Sequence, residues 1–175
     1  QALAPESDVV VVVDVLSFTT SVDVAVGRGA VIFPYRGTAA DLQPFAAQVN
    51  ALVARHGRQP GAGYSLSPGS LTDIQAGTRL VLPSPNGSTL SLAAGTAVTL
   101  AGCLRNATAV AARAGQLGRR ISVIAAGERW PDGSLRPGLE DLLGAGAILA
   151  QLTGSKSPEA ETAVAGDGLR LTSFP

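Results

Sequence analysis

Five consecutive β-branched residues, Val9, Val10, Val11, Val12 and Val13, run without a polar interruption into the single carboxylate of Asp14. A strand with no hydrophobic–polar alternation is covered on both faces, as strands are inside parallel α/β sheets. The pattern predicts this first strand over residues 9–14 and a helix over 21–28 that Gly29 closes. A short second strand follows over 30–34. Thr38 then caps a helix that runs to about His56, with Leu42, Phe45, Val49, Leu52 and Val53 recurring at helical spacing. Pro44 kinks that helix or marks a later start. Residues 57–70 are dense in Gly, Pro and Ser and read as a long loop, a length that often carries function. Further strands are predicted over 78–82, 97–100 and 121–126. Asn106 caps a helix to about Leu117, and a last helix covers 139–152. Residues 155–175 sustain no period, so no element is predicted there. Strands alternating with helices imply an α/β fold, a mostly parallel sheet flanked by helices in three layers. One domain over residues 1–175 accommodates it.

Composition narrows the function classes. Of 175 residues, 46% are hydrophobic, mostly Ala, Val and Leu, which suits a packed core and excludes disorder. A formal net charge of zero gives no electrostatic case for nucleic acid or an anionic membrane as partner. No 18-residue apolar run and no signal peptide occur, so a cytoplasmic location is expected. One cysteine, Cys103, forms no internal disulfide, and with His56 it supplies too few ligands for zinc. The chain starts at Gln1 and contains no methionine, so leading residues are expected to be missing.

Polar residues gather where four predicted strands end: Asp14 with Thr19, Asn86 with Ser88, Arg105 with Asn106, and Glu128 with Arg129. In one parallel sheet those ends share a rim, which argues for a single cleft. Asp14 can cap the next helix, bind a hard cation or attack phosphorus. The hydroxyls of Thr19, Thr20 and Ser21 serve as helix caps or anion ligands. Asn86-Gly87 is a turn dipeptide; because Ser88-Thr89-Leu90 opens a helix, its backbone can form an anion nest. Glu140 and Asp141 fall in a first helical turn, where acids oppose the macrodipole. Together with Asp14, Glu128 and Asp132 they also supply enough oxygen ligands for Mg²⁺. Arg105 and Arg129 are either oxyanion clamps or surface residues. His56 reads as structural or solvated. Cys103 lines the cleft without a base beside it, and Trp130 covers the site or anchors its own loop.

These motifs in order resemble the 2-phosphosulfolactate phosphatase family (the ComB type). The matching text is Val-Val-Asp14-Val-Leu with Thr19-Thr20, Gly63-Tyr64-Ser65-Leu66-Ser67-Pro68, Asn86-Gly87-Ser88, Asn106-Ala107, and Glu140-Asp141 with Gly144-Ala145-Gly146. The resemblance implies a distinct α/β architecture, Mg²⁺ as cofactor, and hydrolysis of a phosphate ester to sulfolactate and phosphate on the way to coenzyme M. It makes Asp14, Glu140 and Asp141 the residues that bind or organise Mg²⁺. It gives Asn86, Gly87 and Ser88 to the phosphate or sulfonate, and Thr19, Thr20, Thr89, Asn106 and Arg129 are further substrate-binding candidates. Asp14, Glu128 and Arg105 become the catalytic candidates. Ser17 and Phe18 stand where the family usually has Arg then Ala, so Arg105 or Arg129 would have to supply that cation.

Two other readings share these residues. A strand ending in Asp14 mimics the first motif of haloacid-dehalogenase-like phosphatases, but the second acid that motif needs is replaced by Leu16. A degenerate member would bind an anionic metabolite without turning it over, and a different phosphoester could be the substrate. The expected partners are a small phosphorylated or sulfonated acid and, for the chain itself, a second copy in a homodimer.

Overall fold

A computed structural model describes residues 6–55 and 63–167. In chain order the elements are β1 (Val9–Val13), α1 (Phe18–Gly27), β2 (Val31–Tyr35), α2 (Ala39–Gln48), β3 (Leu52–Val53) and a 3₁₀ turn (Pro68–Leu71). They continue with β4 (Arg79–Pro83), α3 (Gly87–Ala93), β5 (Val98–Gly102), α4 (Ala107–Leu117) and β6 (Ile121–Ala125). A small hairpin, β7 (Glu128–Arg129) with β8 (Leu135–Arg136), precedes α5 (Leu139–Leu149) and α6 (Pro158–Asp167). Residues 1–5, His56, residues 57–62 of the long loop after it and residues 168–175 lie outside the described residues.

The α/β class and the parallel pairing agree with the sequence pattern, but the strands divide between two sheets. The first has the order β5-β1-β6 and the second β2-β4-β3, both parallel throughout. Helices cover both sides of the first sheet. Val9, Val11 and Val13 face α4 and α5, meeting Val110, Ala111, Ala145 and Ile148. Val10 and Val12 face α3 through Leu90 and Ala94. This two-sided cover leaves all five β1 valines without solvent exposure, as their unbroken apolar run requires. On the second sheet Leu80 and Leu82 meet Phe18 and Ala25 of α1, whereas Val81 meets α2 through Ala46. Helices α1 and α3 therefore pack in the space between the sheets.

Four expectations need correction. The long helix predicted after Thr38 stops at Gln48, and Asn50 adopts the left-handed region at φ 46°. That conformation breaks a right-handed helix, and Leu52 and Val53, assigned to the helical stripe, become an edge strand beside β4. Helix α1 begins at Phe18, three residues early, so Thr19, Thr20 and Ser21 lie inside it and do not precede it. Residues 127–133, read as loop, belong largely to the β7–β8 hairpin. Finally, α6 exists where no element was expected. It opens with Pro158 and carries Glu159 and Glu161 in its first turn, both good helix-start chemistry, but over residues 158–166 only Ala163 is buried. A helix with so narrow an apolar side leaves no periodic signal.

Among the described residues no helix is long and apolar enough to cross a membrane.

Candidate active site

Parallel register brings three strand ends level. Val13 of β1 lies beside Gly102 of β5 and Ala125 of β6, so the chain leaves the first sheet at Asp14, Cys103 and Ala126 along one edge. Asp14 is anchored at once by its neighbour: Thr19 Oγ1 donates to the Asp14 carbonyl at 2.8 Å and accepts from the Asp14 amide at 3.0 Å. The Asp14 carboxylate is buried, with 7% of the residue exposed. Its Oδ1 receives only a long bond from the Phe18 amide, 3.3 Å, while Oδ2 accepts from the Gly87 amide at 2.9 Å and from Ser84 Oγ at 3.4 Å.

Those last two donors come from the second sheet. Ser84 follows β4, and Gly87 opens α3. Gly87 is held there by space: a Cβ on it would lie 2.2 Å from Phe18 Cδ1 and 2.7 Å from Asp14 Oδ2. Only hydrogen fits between that carboxylate and the aromatic ring. The convergence inferred for a single rim thus survives the division into two sheets, because the space between them brings the end of β4 to the end of β1.

A second buried acid braces the same place. Asp141, 3% exposed, accepts from the Val15 amide through Oδ1 at 2.7 Å and from the Gly127 amide through Oδ2 at 2.8 Å. One side chain on α5 so ties the segment after β1 to the segment after β6. Gly127 turns sharply at φ 61° into the hairpin, where a Cβ would lie 2.8 Å from the Arg136 carbonyl oxygen; glycine alone meets both demands. Glu140 is half-buried next to Asp141, and its Oε1 would be 3.1 Å from a Cβ placed on Gly138. Glu128, also half-buried, accepts from Asn86 Nδ2 at 2.8 Å.

Burial raises the pKa of Asp14, and the negative field of Glu128 adds to it, against the backbone amides of Phe18 and Gly87 that favour the charged form. Burial likewise raises Asp141, with Asp14 and Glu140 adding to it and the Val15 and Gly127 amides opposing. Asp14 thus feels the charge of Glu128, and Asp141 that of Asp14 and Glu140, with no positive side chain among the causes of either shift. Among the described residues no three acids, histidines or cysteines already stand as a metal cage. The donor set still fits Mg²⁺: it is all oxygen, negative and crowded, and magnesium takes one or two carboxylates and completes its shell with water and phosphate.

The other candidates are placed as follows. Thr20 donates to the Val15 carbonyl, and Ser88, fully buried, to the Leu82 carbonyl; these hydroxyls serve the backbone. Thr89 is half-buried in the first turn of α3. Asn106 does not cap α4 through its side chain; its Oδ1 accepts from the Cys103 amide and its Nδ2 donates to the Ala101 carbonyl, closing the turn after β5. Cys103 is fully buried. Arg105 is mostly exposed and pairs with Asp23 of α1 at 3.1 Å, beside a cavity of about 360 Å³ lined by Val15, Leu16, Ser17 and Leu104. Ser17 donates to the Leu66 carbonyl at 2.6 Å and Phe18 fills the core. Arg129 donates to the Gly133 carbonyl, Asp132 accepts from Ser134, and Trp130 is half exposed, all within the hairpin. Sequence reasoning missed Ser84 and Arg136. Ser84, in Ser-Pro-Asn-Gly after a strand, had a readable signal, since serine begins turns by bonding the backbone a few residues on, here the Gly87 amide at 3.2 Å.

The family model for 2-phosphosulpholactate phosphatase matches residues 2–170. The chain belongs to the 2-phosphosulpholactate phosphatase family. Members of that family are phosphoric monoester hydrolases, and the matched span takes in every acid of the site, from Asp14 to Asp141. No curated protein matches the chain.

Proposed function

We propose that this chain hydrolyses the phosphate ester of a small acid that carries a second anionic group, with 2-phosphosulfolactate as the leading substrate and Mg²⁺ as cofactor. The observation that supports the reading is the gathering of acids at the junction of two sheets, where buried Asp14 feels the charge of Glu128 and buried Asp141 that of Asp14 and Glu140.

Asp14 and Glu140 would hold the metal. Asp14 keeps Oδ1 nearly free, with one 3.3 Å bond, whereas both Asp141 oxygens are engaged by short bonds to backbone amides. When bound, the metal supplies positive charge to the phosphoryl oxygens and acidifies water. Asp141 fixes the two segments that carry Asp14 and Glu128. Glu128 takes the proton from the attacking water, its carboxylate held in place by the Asn86 amide. The Asn86-Gly87-Ser88-Thr89 turn orients the phosphate, and its crowding around Gly87 excludes water from the face of Asp14.

Phosphate release from 2-phosphosulfolactate, measured with Mg²⁺ and with the metal chelated, tests the reading. Activity is expected only with metal, and Asp14→Asn should lower it about a hundredfold or more. Full activity in Asp14→Asn, or full activity after chelation, overturns it.

A further inference from the structure

A substrate with two anionic ends needs a cation for the end that is not phosphate, and the hairpin register identifies one. Glu128 stands opposite Arg136 across β7–β8, and Arg129 stands opposite Leu135. Residues directly opposed in an antiparallel pair send their side chains to the same face, and neighbours along a strand alternate between faces. The Glu128 carboxylate accepts from Asn86, so its face is the one turned to the acid site. Arg136 shares that face. Arg129 takes the other, where its guanidinium is bonded to the Gly133 carbonyl.

Trp130, two residues beyond Glu128, returns to the Glu128 face, and the Arg136 guanidinium stands 5.6 Å from its ring centroid. Stacking on an indole holds a guanidinium by its flat face and leaves its edge donors free for an oxyanion. Among the described residues the ion pairs are Arg105–Asp23 and Arg120–Asp8, so no carboxylate claims Arg136.

We propose that Arg136, stacked on Trp130, binds the sulfonate or carboxylate at the end of the substrate remote from the phosphate. The proposal rests on the reading of the acid site given above. It makes Arg136 the residue that separates dianionic phosphoesters from phosphoesters with no second charge.

Trp130 is the only tryptophan of the chain, so its fluorescence reports on this group without any turnover. Titration with sulfolactate should give a saturable change in the wild type and in the control Arg113→Gln, whose site is on the exposed side of α4. In Arg136→Gln the affinity should fall about tenfold to a hundredfold, the range for losing a charge-assisted bond. Arg136→Lys should recover part of it. Lactate, which lacks the sulfonate, assigns the group: a loss for sulfolactate alone means sulfonate, an equal loss for both means carboxylate. In turnover, the ratio of kcat/KM for 2-phosphosulfolactate to that for nitrophenyl phosphate should fall by the same factor in Arg136→Gln.

Unchanged sulfolactate affinity in Arg136→Gln overturns the proposal, as does a loss that follows Arg129→Gln instead. The two readings fail separately. Binding through Arg136 with no phosphate released from either ester sinks the phosphatase reading alone; phosphate release with an unchanged ratio in Arg136→Gln sinks this one alone.

Discussion

The side-chain amide of Asn86 donates to the carboxylate of Glu128 at 2.8 Å, and this bond joins the end of β4 in one sheet to the end of β6 in the other. Neither residue is close to the other in the chain, and both border Asp14: Glu128 through its field, Asn86 through the adjacent Gly87 amide.

The pair should therefore be coupled in stability. Asn86→Asp replaces the donor by a second negative charge against Glu128, and Glu128→Gln removes that charge. Urea unfolding of the two single variants and of the double variant should give a coupling of about 0.5–3 kcal/mol, the double being more stable than Asn86→Asp alone. Strict additivity would show that the bond does not persist in solution.

Gly87→Ala should cost more than its size suggests. Its methyl group would have to displace the Phe18 ring, a buried side chain, or the Asp14 carboxylate. Overpacking of that kind costs about 1–3 kcal/mol, and moving Asp14 should remove most phosphate release. A variant with an unchanged melting temperature and full activity would refute the close approach.

Asp141→Asn isolates the bracing role from the charge. An amide has one acceptor oxygen, so one of the Val15 and Gly127 amides would be left facing an NH₂ group. A buried donor without a partner costs about 1–3 kcal/mol. Chemical denaturation should show that loss, while Glu140→Gln, whose carboxylate is half-buried, should change stability far less. Equal effects at the two positions would contradict the brace.

Stability should respond to pH in two opposite windows. Asp14 and Asp141 are raised, chiefly by burial, so the folded protein binds their protons more tightly than the unfolded chain does. Their contribution is fully present below the unfolded value near 4 and is lost as pH rises through their folded values. Asp8 behaves the other way. Backbone bonds from Arg120, its guanidinium and the Arg119 amide hold Asp8 at about 2, so its contribution is present above 3.8 and lost as pH falls towards 2. Without magnesium, the melting temperature should climb as pH drops from neutral to about 4 and then decline. A monotonic fall from pH 7 to 4, or a slope unaltered by Asp14→Asn with Asp141→Asn, would refute the assignment.

What could be read from the sequence followed burial. The β1 valines, covered on both faces, gave an unmistakable strand, and the acid at its end lies close to Ser84, Gly87 and Glu128 from other elements. Strands β4, β5 and β6 were located within a residue or two from their apolar runs, although β5 and β6, at the edges of their sheet, are only partly buried. Boundaries failed where local geometry overrode periodicity, as at Asn50, whose left-handed backbone turned a helical stripe into β3. The division into two sheets was hidden because every buried parallel strand has the same texture, whichever sheet holds it. Asp141 carried an acid's helix-start signature, and nothing local announced that its oxygens reach Val15 and Gly127, 126 and 14 residues away. Arg136 was overlooked because its significance lies in the register of a hairpin only two residues deep.

The two ends of the β7–β8 hairpin meet: a Cβ on Gly127 would lie 3.5 Å from the Gly138 amide nitrogen. A segment that departs and returns at one point can be lengthened, shortened or exchanged without moving β6 or α5. Under the proposed reading, selectivity would sit on the part of the hairpin beyond Glu128, while Asp14, Glu140 and Asp141 are rooted in the scaffold and Glu128 is tied to it through Asn86, so relatives could diverge in what they accept by rewriting the residues after Glu128 alone.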